Sequence, residues 1–125
     1  MRNFRNYTIW KKAIELNTDI YTLIRKFPTY EKFGLGDQLR RASVSIASNI
    51  AEWAGRDSEK EFIHFLHISI GSAFEVETQV NIAYNLKYIN YQEFTLIISK
   101  LHSIEKQINE LIITIKRNQQ PTTKS

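Results

Sequence analysis

The sequence predicts an all-α protein, an antiparallel up-down-up-down four-helix bundle. Apolar residues recur at alternating spacings of three and four along several long stretches, the period of a helix face rather than a strand. Four glycines and two prolines in 125 residues leave little room for turns, so few and long elements are expected. No strand pattern competes and no internal repeat is evident, and the length suits one domain. Residues 1–118 are expected to form the bundle and 119–125 a disordered polar tail containing Pro121.

The first helix is expected from Ile9 to Lys26 with Thr8 as N-cap. Ile9, Ala13, Leu16, Ile20, Leu23 and Phe27 form its seam, and Trp10, Ile14, Tyr21 and Ile24 widen the apolar surface beyond it. Pro28 stops this helix because it has no N–H to donate. Phe33 and Leu35 in the following connection are expected to plug the core.

The second helix is expected from Gly36 or Asp37 to Trp53 or Ala54, with a modest edge of Leu35, Leu39, Ala42, Ile46 and Ile50. Its small residues would let another helix approach closely, and the small middle of the third helix is the natural neighbour. Ser58-Glu-Lys-Glu61 fits a capping box and opens that third helix, expected to reach about Tyr88. Its seam is Phe62, Leu66, Ser69, Ala73, Val76, Val80 and Ala83. Asn90 and Glu93 repeat the capping pattern for a fourth helix ending near Arg117, with Phe94, Ile97, Leu101, Ile104, Ile108, Leu111 and Ile115 as its seam.

Composition bounds the chemistry. Absence of cysteine excludes disulfides and thiolate metal sites. No window reaches a membrane span and the N-terminus lacks the apolar run of a signal peptide, so a cytoplasmic location is expected. A net charge of +4 permits nucleic-acid binding. Residues 1–30 carry a net +4 and residues 61–90 a net −2. If the ends of the first and last helices lay together, Arg25, Lys26, Lys116 and Arg117 would form a basic patch; otherwise they are solvated helix ends.

No catalytic residue or cofactor is assigned. The chain has no nucleotide-binding glycine loop and no motif linking a hydroxyl to a histidine base. Glu61-Phe-Ile-His64 matches the Glu-x-x-His element of di-iron bundles, but no second glutamate has histidine three residues later. His64 and His67 alone make a weak metal site, and no metal is expected.

The strongest remaining feature is the polar row of the second helix: Gln38, Arg41, Ser45, Asn49, Glu52 and Arg56. Ser45, Asn49 and Glu52 read as a structural polar network, with Asn49 and Glu52 partly buried and satisfied by Ser72, Glu75 or Gln79 of the third helix or by an arginine. Arg40, Arg41 and Arg56 stand between two roles, phosphate or partner binding and salt bridges.

The motifs Trp10-Lys-Lys-Ala-Ile-Glu-Leu, Phe27-Pro28, Glu31-Lys-Phe-Gly-Leu35, Gln38-Leu-Arg-Arg-Ala42, Ser45-Ile-Ala-Ser-Asn-Ile-Ala-Glu52 and Gly55-Arg-Asp-Ser58 occur in order. With Glu61-Phe62, Phe65-Leu66, Gly71-Ser-Ala73 and Glu75 they resemble bacterial four-helix bundle proteins encoded in intervening sequences of 23S ribosomal RNA genes. That family includes the accessory variability protein of diversity-generating retroelements. The resemblance implies a homopentamer, a role in binding RNA or DNA, and, for the retroelement branch, association with a reverse transcriptase. It makes Arg40, Arg41, Asn49, Glu52 and Arg56 the most characteristic positions. Two residues depart from the family: Ala47 stands where proline is usual and Trp53 where glycine is usual. Ala47 should leave the second helix more regular, whereas Trp53 is expected either to fill a subunit interface or to present a stacking surface. A non-enzymatic, RNA-binding oligomer is therefore the leading expectation; an interaction scaffold for a partner such as a polymerase is the alternative.

Overall fold

Leu16, Ile20, Leu39, Ile46, Ile50, Leu66, Val76, Val80, Leu101, Ile104 and Ile108 lose all contact with solvent along one axis. They come from four helices: α1 (Thr8–Ile24), α2 (Leu35–Ala54), α3 (Glu59–Asn85) and α4 (Tyr91–Gln119). The structure, a computed structural model, describes residues 3–119. Short 3-10 turns at Phe4–Asn6 and Thr29–Glu31 precede α1 and α2, and no strand occurs among the described residues. The expected tail at 119–125 lies outside the described residues except that α4 runs through Gln119.

Each helix packs on the next and α4 closes back on α1, while the backbones of the diagonal pairs stay apart. Side-chain pairings show every neighbouring pair running in opposite directions. Asn17 bonds Ser43 while Ile24 lies against Gly36, and Ser69 and Ser72 meet Ile46 and Ser45. Glu77 and Tyr84 of α3 face His102 and Phe94 of α4, and Lys12 and Asp19 of α1, with Lys26 just past its end, meet Ser103, Lys100 and Glu93 of α4. The seams expected for α1 and α3 are all buried. In α4 the buried row runs Ile104, Ile108, Ile112, Ile115, so Ile112 replaces Leu111; a straight 3.6-residue helix drifts off a strict heptad.

The helix ends correct several expectations. Thr8 is the first residue of α1, not its cap; Tyr7 holds that position without a side-chain bond, and its ring packs 5.1 Å from that of Trp53. At the other end α1 tightens into i→i−3 bonds, Lys26 N–H to Leu23 and Phe27 N–H to Ile24, before Pro28. α2 begins one residue early because Glu31 Oε1 accepts the Leu35 N–H at 3.1 Å, supplying a cap from the preceding turn. The Asn90–Glu93 box is complete, with both reciprocal bonds at 2.8 Å, whereas at Ser58 the bond from Glu61 N–H to Ser58 Oγ forms at 3.1 Å. α3 stops at Asn85, short of Tyr88. Lys87 adopts φ 64°, and the N–H groups of Lys87 and Tyr88 reach back to Tyr84 and Ala83 at 2.9 Å, a Schellman motif.

Phe33 is not a core plug. It is 84% exposed, with Lys32 Nζ 5.4 Å from its ring centroid, and Leu35 is only partly buried. Phe27 and Tyr88, with ring centroids 5.3 Å apart, close this end instead. Tyr88 donates to Glu31 Oε2 at 2.8 Å and its oxygen lies 3.2 Å from that of Tyr30, tying the α1–α2 turn to the α3–α4 turn.

Candidate functional site

α2 is the helix of small residues, and its close fit to α3 decides which of its polar groups stay inside. Ser69 Oγ donates to the Ile46 carbonyl oxygen at 2.9 Å, Ser72 Oγ to Ser45 Oγ at 2.8 Å, and Asn49 to Ser45 Oγ at 3.0 Å. The internal network is therefore Ser45, Asn49 and Ser72. Glu52 and Glu75 do not join it. The Glu52 side chain is 54% exposed and takes Arg56 one turn on at 2.8 Å, and Glu75 is exposed at the mouth of the α2–α3 groove beside Arg41.

The arginines divide by their partners. Asp37 accepts from Arg40 Nη2 at 3.0 Å and from Arg41 Nε at 2.9 Å, and Arg40 also reaches the Lys32 carbonyl oxygen at 3.4 Å. Partial desolvation pulls the Asp37 carboxyl upward, but the two guanidinium bonds outweigh it and hold it below its ordinary value. The Arg41 side chain nevertheless stays 80% exposed. Arg56 lies 4.8 Å from the Phe65 ring centroid as well as on Glu52.

The basic patch of Arg25, Lys26, Lys116 and Arg117 does not form. α1 and α4 run in opposite directions, so Lys26 meets Glu93 at the start of α4. Lys116 lies 23 residues further along that helix, about 35 Å away. What Arg25 does join is a recess of about 390 Å³ at the α1–α2 turn, lined by Arg25, Lys32 and Arg40 with Tyr21, Phe27 and Glu31. Lys32 escaped sequence reading because it lies in a turn, outside any helical row.

Trp53 is 4% exposed, buried under Tyr7 within the chain, so it neither fills a subunit interface nor offers a stacking surface. α2 runs unbroken through buried Ala47, as the absence of proline there implies.

One cluster was missed altogether. Glu77 of α3 and His102 and Glu105 of α4 place ligand atoms within 4.8 Å of one another. The visible sequence feature was His102-x-x-Glu105, the reverse order of the Glu-x-x-His pattern. Burial, together with the adjacent Glu77 carboxylate, pushes the Glu105 carboxyl up to about 7. His64, His67 and Glu61, by contrast, are exposed on the surface of α3.

Fold and surface together define an antiparallel four-helix bundle with a serine-knit α2–α3 pair and a cationic turn. The chain belongs to the 23S rRNA-intervening sequence protein family, which it matches over residues 5–110. A solved structure, a protein of unknown function from the S23 ribosomal protein family of Bacteroides thetaiotaomicron, is similar with a TM-score of 0.79 and 25% identity, covering 84% of this chain and 98% of that one. No curated protein matches the chain. No helix among the described residues is long and apolar enough to cross a membrane.

Proposed function

We propose that this chain is a non-enzymatic, self-associating bundle that binds RNA through the cationic recess at the α1–α2 turn. The observation that carries the reading is the convergence of Arg25, Lys32 and Arg40 on a concavity with Tyr21 and Phe27 in its wall. Guanidinium groups suit phosphate oxygens, and a neighbouring aromatic ring gives a base or ribose an apolar surface. Arg41 extends the positive surface along α2. The net charge of +4 and the family's description are consistent with this ligand.

One such recess binds weakly, and self-association multiplies it. Ile14, Tyr21 and Val44 are exposed on α1 and α2, and Phe74 and Ile82 on α3 with Leu86 at its C-terminal cap. Two unlike apolar strips on different sides of one molecule suit a head-to-tail contact that closes into a ring. A homopentamer is the assembly the family resemblance implies, and recesses repeated around it would gain avidity.

The test is RNA binding by fluorescence anisotropy at about 50 mM and about 200 mM salt, beside a light-scattering mass. Binding is expected to weaken steeply with salt through counterion release. Arg25→Ala/Arg40→Ala is expected to weaken it at least about tenfold. A monomer that binds no structured RNA at low salt overturns the reading.

A second reading rests on Phe33 and Tyr30, both strongly exposed at the same turn. They would anchor a protein partner, such as a reverse transcriptase, rather than RNA. Capture of such a partner that survives nuclease and is lost in Phe33→Ser favours it.

A further inference from the structure

The cluster on the α3–α4 face has the geometry of a cation site. His102 and Glu105 lie one turn apart on α4 and Glu77 faces them from α3. His102 Nε2 stands 3.4 Å from Glu77 Oε2. That is long for an N–H···O hydrogen bond, which clusters at about 2.7–3.2 Å. It is the spacing of two ligands on one tetrahedral ion, because bonds of about 2.0–2.1 Å at the tetrahedral angle hold their ligand atoms about 3.4 Å apart.

Glu105 supplies an independent second observation. Its Oε2 is closed to solvent and has no hydrogen-bond partner among the described residues. It lies beside the Glu77 carboxylate, and two carboxylates so placed need either a shared proton or a cation between them. A groove of about 520 Å³ lined by Phe74, Glu77, Thr78, Asn81, Ile82 and Glu105 opens on the pair, leaving room for a water at a fourth position.

We propose that Glu77, His102 and Glu105 hold one borderline divalent transition ion of the zinc class per chain, with water completing its shell. The donor set decides the class. An imidazole nitrogen with two carboxylates suits zinc and its neighbours, whereas magnesium and calcium take oxygen ligands. A modest rotation of the exposed His102 ring and the Glu side chains brings the third ligand from within 4.8 Å to bonding geometry. The ion would clasp α3 to α4, so its binding is also a stabilisation of the bundle. This site shares no residue with the cationic recess and stands or falls separately from RNA binding.

Isothermal titration of the chelator-stripped full chain with zinc chloride at about pH 7.5 tests it, with thermal unfolding at about 100 µM zinc alongside. One ion per chain is expected, with a rise of several degrees in Tm that magnesium does not reproduce. His102→Ala and Glu105→Gln should each weaken zinc at least about tenfold while the helical circular dichroism is kept. His64→Ala/His67→Ala should bind as the wild type does. Absence of saturable binding up to about 1 mM zinc overturns the site, as does binding that survives His102→Ala or is lost with His64 and His67.

Discussion

Ser69 Oγ of α3 donates to the carbonyl oxygen of Ile46 in α2 at 2.9 Å, a side-chain bond to the backbone of a neighbouring helix. Such a bond forms only where two helix backbones lie unusually close, and the small buried side chains of Ala42, Ser72 and Ala73 accompany it. Ser69→Ala removes one neutral bond and should cost about 1 kcal/mol. Ser69→Leu must force the helices apart and should cost about 1–3 kcal/mol or more. Urea unfolding of both variants checks the order; equal losses would mean that the spacing is not fixed by side-chain volume.

Gly36 is the second point of close approach. A Cβ there would lie 3.0 Å from the Glu31 carbonyl oxygen and 3.1 Å from Ile24 Cγ2. The carbonyl belongs to the turn whose Glu31 side chain also caps α2 and takes the Tyr88 hydroxyl, so it has little freedom to yield. Gly36→Ala is expected to destabilise by about 1–3 kcal/mol in spite of alanine's better helix propensity. A rise in Tm would show that the turn relaxes.

Lys87 is held at φ 64° by the Schellman bonds that end α3. Glycine adopts this conformation without the Cβ penalty, so Lys87→Gly should stabilise the chain by about 0.5–1 kcal/mol. Chemical denaturation with an unchanged m-value is the check.

Asp37 binds Arg40 and Arg41 together and has a depressed carboxyl pKa. A lowered folded value means that its stabilising contribution is whole above the unfolded value of 3.8 and is lost as pH falls through the lower folded value. Asp37→Asn should therefore flatten the acid side of the Tm profile. The same change releases two guanidiniums beside the recess, and RNA should bind about threefold to tenfold tighter at low salt. Weaker binding by this variant would mean that Asp37 orients the arginines rather than neutralising them.

The bundle was legible because burial follows period: the α1 and α3 seams read from spacing are the buried rows. The small residues of α2 and α3 likewise announced their contact. What spacing could not convey is direction and distance between helices. The four cations at the ends of α1 and α4 share a charge but not an end of the molecule, since antiparallel packing sends Lys26 to Glu93. Trp53 was read as an outward departure because its neighbour Tyr7 lies 46 positions away in the chain. The cationic recess and the Glu77–His102–Glu105 cluster each assemble residues from separate elements, so no single helical row contains them.

The tie between Tyr30, Glu31 and Tyr88 marks one end of the molecule, and Tyr7 with Trp53 marks the opposite one. Arg25, Lys32 and Arg40 belong to the first end, while Lys116 and Arg117 close α4 at the second. A dye, bead or sensor surface coupled near Lys116 would therefore hold the protein upright with its cationic mouth facing the solution. The same coupling at Lys32 would blind it.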